Sequence, residues 1–376
     1  MWLSQRLPDD IVFDLLTRVP VKSLIRFRCV SKSWYSSTAN PIFITAHFNQ
    51  AQSLSNNNHN GYLLYESASR ELCSVICNSD YTLTHISSFE IPFSGVKFVG
   101  FCNGIFCLHK CSNNVLYLWN PSIRKFKMLN TTRLCVPAAS ENVTIGLAYH
   151  SHNNDFKILR IKSYKVQPPV AEVYSLSTDS WRWVEIPFDS LYECGPDRLF
   201  GYVISSPCLF LHGALHSIAK TPHHDFILAF DVNDEIFREI MLPQNYLDGV
   251  ESHFERLVVF KGSLALFAYG DALDEWGYEP QVSFFWVMRE YGVIESWTTL
   301  PVKVCYVERF CGCTNNGGLL IETLDDFLKA FDPETLNKND FGIPNSEWEA
   351  PISSSRWLDC TVNFVESLVL LDGTNV

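Results

Sequence analysis

No run of apolar residues in the 376-residue chain approaches the roughly 18 that a membrane-crossing helix needs, and no basic segment followed by an apolar one opens it. From these absences we expect an intracellular protein, in the cytoplasm or nucleus, with no membrane partner. Catalytic and cofactor motifs are missing too. There is no Gly-x-Ser-x-Gly, no phosphate-binding glycine loop, no His-Glu-x-x-His and no paired Cys-x-x-Cys. We therefore expect no catalytic residue, no metal and no cofactor.

The nearest approaches to such chemistry have plainer explanations. His150-x-His152 and His223-His224 are candidate ligands, but Asn and Asp neighbours place them on turns and no second pair follows, so they read as exposed loop histidines. Cys311-Gly312-Cys313 reads as strand packing. Asp325-Asp326, and Asp271 with Asp274 and Glu275, read as solvated turns, since acid–base work needs a geometry that spacing does not supply. The 13 cysteines are odd in number and mostly sit inside apolar runs such as Phe101-Cys102-Asn103-Gly104-Ile105-Phe106-Cys107, which suits reduced core thiols. Asn130-Thr131-Thr132 and Asn142-Val143-Thr144 fit the glycosylation pattern but carry little weight without a secretory signal.

What is present is apolar and aromatic. Hydrophobic residues make up 47% of the chain and aromatics 14%, with 10 Trp, 15 Tyr and 27 Phe, which demands a folded core. The net charge of −12 is unevenly spread. Residues 1–48 carry six Lys or Arg against three Asp, hence +3, leaving −15 on the rest. A basic segment on an acidic body favours an acidic protein partner and disfavours nucleic acid.

That basic segment is the only stretch that reads as compact helices. Leu7, Ile11, Leu15 and Leu16 fall on one face of a helix that starts after Pro8, with Asp9 and Asp10 at its positive end, and Pro20 stops it. A second helix follows from Val21 to Phe27, and Ser31 is the N-cap of a third that carries Trp34. Three short helices cannot bury all these side chains against one another, so they face a partner or the rest of the chain. A DNA-reading helix would need polar side chains for base edges, and the third helix offers mainly Ser, Lys and Trp.

The series Leu7-Pro8-x-Asp10-Ile11, Leu15-Leu16-x-Arg18-x-Pro20, Lys22-Ser23-Leu24-x-Arg26-Phe27-Arg28, Val30, Lys32 and Trp34, extended by Ile42 and Phe43, closely resembles the F-box in the form usual for plant F-box proteins. The resemblance implies a three-helix module that docks on the Skp-type adaptor of a cullin-RING ubiquitin ligase, the adaptor being acidic. On this basis Leu7, Pro8, Ile11, Leu15, Leu16, Leu24, Val30 and Trp34 are the expected adaptor-binding residues. Residues 1–48 form the module and 49–60, polar and rich in Asn, read as a linker or loop tip.

From residue 61 to 376 the chain is a succession of short β-type runs broken by Asn, Asp, Gly, Pro and Ser. A loose unit of about 45 to 55 residues recurs, with four strands each, which suits propeller blades. The last apolar run, 362–371, is placed to pair with Tyr62 to Tyr65 and close the ring. Residues 318–330 have helical spacing, but Asp325-Asp326 favours a hairpin. This body resembles the plant F-box-associated interaction domain, related to kelch-type propellers, through Phe101-Cys102-Asn103-Gly104, Trp119-Asn120-Pro121-Ser122, Asp155-Phe156-Lys157-Ile158, Glu172-Val173-Tyr174-Ser175 with Trp181, Ile227-Leu228-Ala229-Phe230-Asp231, and the tail Val365-Glu366-Ser367-Leu368. Some such relatives are S-locus F-box proteins that recognise ribonucleases.

The expected fold is thus a small all-α F-box followed by an all-β, kelch-like β-propeller. The expected function is that of a non-catalytic receptor subunit, joined through the adaptor to a cullin and selecting a protein substrate for degradation. The alternatives are a propeller enzyme or a scaffold outside the ligase. Target recognition is expected in loops 131–142, 166–169, 192–198, 246–253 and 271–279, the last carrying Trp276 and Tyr278 among carboxylates.

Overall fold

The computed structural model describes residues 7–57, 62–66, 70–77, 83–129, 142–164, 167–188, 191, 201–203, 208–247, 250–272, 281–302, 304, 307–314, 317–323, 328–336, 338–340, 356–357 and 364–369. It opens with four helices, α1 (Asp9–Thr17), α2 (Val21–Phe27), α3 (Lys32–Ala39) and α4 (Pro41–Asn57). Pro8 and Pro20 sit at the N-caps of α1 and α2, and the Ser31 hydroxyl accepts from Ser33 N at 3.2 Å to cap α3. The fourth helix replaces the expected loop at residues 50–57. Its start is written in Asn40-Pro41: the Asn40 side chain accepts from Ile42 N at 2.9 Å, and proline follows where its missing N–H costs nothing.

The remaining strands form six antiparallel sheets, the blades of a propeller. Blade two is β4 (Val96–Cys102), β5 (Ile105–Lys110), β6 (Val115–Asn120) and β7 (Lys125–Met128). Blade three is β8 (Asn142–His150), β9 (Asp155–Ser163), β10 (Val170–Ser175) and β11 (Ser180–Val184). Blade four is β12 (Tyr202–Val203) and β13 (Leu209–Leu211), both on β14 (Ala214–Lys220), then β15 (Phe226–Asp231) and β16 (Phe237–Met241). Blade five is β17 (Val250–Phe260), β18 (Ser263–Ala272), β19 (Gln281–Met288) and β20 (Trp297–Leu300), and blade six β21 (Val307–Cys313), β22 (Leu319–Thr323), β23 (Leu328–Phe331) and β24 (Lys338–Asp340). The pair β22–β23 is the expected hairpin.

Blade one is made from both ends of the chain. Its sheet runs β25 (Arg356–Trp357), β1 (Tyr62–Glu66), β2 (Glu71–Cys77), β3 (Leu83–Glu90), with Tyr65 opposite Trp357. The ring is closed by β25, and the described part of the run expected to close it, 364–369, lies in no strand. Closure pairs the backbone of β1, which would otherwise stand as an open edge.

Local chemistry explains the recurring unit. Asn103-Gly104, His212-Gly213 and Lys261-Gly262 all have positive φ, the two-residue hairpin turn that joins the first and second strands of a blade. Between the third and fourth strands, Asn120, Asp231 and Asp332 each accept a backbone N–H from the residue two positions on. A left-handed residue, Arg124, Glu235 or Leu336, then ends each turn. First strands begin at 96, 142, 202, 250 and 307, so the spacing reaches 60, wider than the sequence suggests, because connections between strands vary in length. Apolar clusters fill each described gap between blades. One, for example, joins Ile105, Cys107 and Leu118 of blade two to Ile158 and Tyr174 of blade three.

Alternating strand direction gives the propeller two ends. The first–second and third–fourth strand turns lie at one, the near end. Second–third connections and the links between blades lie at the other, the far end. The helices pack on the near end: Ile123, beside Asn120, joins their core, and Asn154 Nδ2 donates to Thr45 Oγ1 at 3.2 Å.

Candidate functional site

On α1 the helical period divides the apolar residues between two sides. Leu7, Ile11 and Leu15 are exposed, the last by 51%, as are Pro8 and, after α2, Val30 at 74%. Trp34 is half-buried with its ring 5.2 Å from that of Phe27. The opposite side of α1 is core. Leu16 is buried with Val21, Leu24, Phe43 and Leu368, and Leu24 has no exposed surface at all. Leu16 and Leu24 are therefore corrected from expected contact residues to internal ones, because α4 and the chain's own tail cover the face they share.

Phe13, Tyr35 and Ile42 are also exposed, Ile42 by 72% of its area. Sequence reasoning saw Ile42 only as an extension of the motif and passed over the other two. Phe13 and Tyr35 lie off the leucine stripe, and nothing local says that Phe13, with its ring 5.3 Å from that of Phe43, stays part-exposed. Arg18, Lys22, Arg26 and Lys32 of the same helices are exposed, as are Asp9, Asp10 and Asp14, the last paired with Arg18 at 3.2 Å, and Arg28 lies 4.6 Å over the Tyr35 ring. Exposed apolar side chains grouped on short helices are the kind of surface that protein partners cover.

At the far end, the candidate loops 131–142, 192–198 and 271–279 lie wholly or mostly outside the described residues, as do Trp276 and Tyr278. The strand ends flanking all five candidate loops, however, belong to this same end. Two exposed aromatics stand there on first strands, Tyr202 of β12 and Phe254 of β17, the latter with its ring 5.3 Å from Tyr269.

Beside them Lys220 pairs with Asp225 at 2.7 Å and with Glu255, Tyr246 Oη donates to Glu255 at 2.8 Å, and His253 Nε2 lies 2.8 Å from Glu255. Burial pulls the Lys220 pKa down, but the two carboxylates outweigh it and hold it above the ordinary lysine value. These charges lock the link from β16 to β17 onto blade four, next to an open cleft of about 400 Å³ lined by Met241, Tyr246 and Ile294. Such mutually satisfied groups serve structure, not proton transfer.

The other candidates resolve similarly. His150 is buried, not exposed, with Nδ1 accepting from Asn153 N at 3.1 Å, while His152, His223 and His224 are exposed. Cys311 and Cys313 are buried in β21, and burial pushes the Cys102, Cys107 and Cys313 thiols up, so they stay protonated. Among the described residues no three His, Cys, Asp or Glu side chains are grouped to hold a metal, and no helix is long and apolar enough to cross a membrane.

Fold and surface together define a two-part binding protein, a helical docking module on a six-bladed propeller. Residues 4–45 match the F-box domain and residues 46–322 the F-box associated beta propeller domain. The chain belongs to the plant F-box proteins that carry this propeller, a family whose members serve as non-catalytic adaptors of Skp–cullin–F-box ligases. It is 27% identical to the F-box protein CPR1 of Arabidopsis thaliana, over 94% of this chain and 89% of that one. An F-box/kelch-repeat protein of the same plant is 25% identical over 80% of both chains.

Proposed function

We propose that this chain is a substrate receptor that docks on a Skp-type adaptor through Leu7, Pro8, Ile11, Leu15, Val30 and the edge of Trp34, and holds a target protein at the far end of the propeller. It acts in the cytoplasm or nucleus. The observation that carries the reading is the exposed apolar stripe Leu7, Ile11 and Leu15 of α1, while Leu16 on another side of the helix is packed with Leu24, Phe43 and Leu368. The far end takes the target because the long connections gather there and the helices occupy the near end.

Leu15→Asp with Val30→Asp tests the first half. Both positions are exposed, so the free energy of unfolding should stay within about 0.5 kcal/mol of the native value, while capture of the adaptor from a plant extract falls at least tenfold. Undiminished capture would sink the assignment. For the second half, Tyr202→Ala with Phe254→Ala should remove co-purifying targets that Ile236→Ala, equally exposed at a near-end turn, leaves in place. The reverse pattern would put the target at the near end.

A further inference from the structure

The segment 364–369 belongs to neither the helices nor a blade, yet it touches both. Phe364 is buried among Leu64, Phe106 and Trp119 of blades one and two, with its ring 6.1 Å from Phe106. Asn120 Nδ2 donates to Ser367 O at 2.9 Å and Val369 O at 3.1 Å, and Ser367 N donates to Ser122 Oγ at 3.3 Å. Gly104 has no side chain where one would meet Ser367 and Val365 O, at 2.4 and 2.7 Å from an added Cβ. These contacts fix the segment to the turns of blade two.

From that fixed backbone two side chains reach the helices. Leu368, 1% exposed, completes the core of Leu16, Val21, Leu24 and Phe43. Glu366 Oε2 accepts from Val21 N at 3.1 Å, the first amide of α2, where Pro20 offers no side-chain cap. A carboxylate there satisfies an orphan donor and meets the positive end of the helix. The helices also meet the propeller at Ile123, which joins their core, and through the Asn154–Thr45 hydrogen bond.

We propose that residues 364–369 are the joint that holds the docking helices in one orientation on the propeller, with Glu366 and Leu368 as its positioning residues. A ligase receptor must present its target at a set distance and angle from the adaptor, and this joint sets the angle. The functional meaning rests on the receptor reading above; the joint itself does not.

Hydrogen exchange of the full chain tests it, comparing the native protein with Glu366→Ala, Leu368→Asp, and the conservative Glu366→Gln and Leu368→Met. The joint predicts that Glu366→Ala and Leu368→Asp each speed exchange of the Leu24 and Ile25 amides at least tenfold while β9 and β14 are unchanged, with Gln and Met restoring most protection. Crosslinks from Lys22 and Lys32 to propeller lysines, confined to few partners in the native chain, should spread in the two disruptive variants. Unchanged protection in α2 overturns the proposal. If Leu368→Asp loosens the blades as well, Glu366→Ala decides: equal loosening of α2 and blades assigns the segment to the general core and overturns the joint. Loss of adaptor capture by the native chain would instead count against the receptor reading and leave the joint standing.

Discussion

His216 in β14 is 1% exposed, with Nδ1 3.1 Å from Leu209 O and Nε2 2.6 Å from Tyr291 Oη. A carbonyl only accepts, so Nδ1 carries the proton and Nε2 accepts from the tyrosine. Burial, aided by His212 nearby, drives the imidazole pKa down to about 4, against the pull of Leu209 O. The unfolded chain takes up this proton near pH 6.5, so the stabilisation is fully present above that value and is lost as pH falls towards 4, by about 3 kcal/mol at most. Unfolding midpoints measured at pH 7 and pH 5 should therefore differ by less in His216→Gln than in the native chain. An equal drop in both would show that another group dominates, with His47 and His109, also held low by burial, the next to test. At this scale sequence legibility was mixed. Leu15 and Leu24 look alike as helical leucines. What separates them is cover from Phe43 of α4 and from Leu368, hundreds of residues away, contacts that periodicity within one helix cannot register.

Turns and caps were the legible elements, because their chemistry is local. The Pro8, Pro20 and Ser31 helix boundaries appear where the residues put them, and Asn103-Gly104 and Asn120-Pro121-Ser122 form blade corners. Gly104 and Gly262 share one conformation, φ +77° and +81°, but differ in surroundings: nothing lies within 4 Å of a Cβ added to Gly262. Alanine at either should cost about 1–2 kcal/mol for the left-handed backbone. Only Gly104→Ala must also displace the 364–369 segment, whose backbone carbonyl cannot swing aside as a side chain tip can. Denaturant unfolding should thus rank Gly104→Ala clearly below Gly262→Ala. Equal midpoints would mean that the segment shifts without cost. The helix over residues 50–57 was missed because its Gln, Ser and Asn composition reads as loop; the local signal lay upstream, in Asn40-Pro41.

At the scale of the whole molecule, the repeat revealed a propeller and its closure on Tyr62 to Tyr65, but with the run 362–371 in the place that β25 takes, since no single stretch of sequence contains blade one. Three of its strands follow the helices and the fourth, β25, arrives some 290 residues later. Only closure of the ring brings them together, so no local pattern marks which late segment is the fourth strand. The same arrangement makes blade one the place where the two ends of the chain depend on each other. A chain stopped after residue 363 keeps β25 and loses the 364–369 segment; one stopped after residue 355 loses both. Each forfeits Phe364 and its aromatic contacts, so the difference between them isolates the closing strand. The longer should unfold cooperatively and stay monomeric, its helices loosened. In the shorter, the free backbone edge of β1 is a template for pairing with another copy, and light scattering should show association that grows with protein concentration, at a lower unfolding midpoint. Identical behaviour of the two would mean that packing between blades, rather than the β25–β1 pair, holds the ring shut.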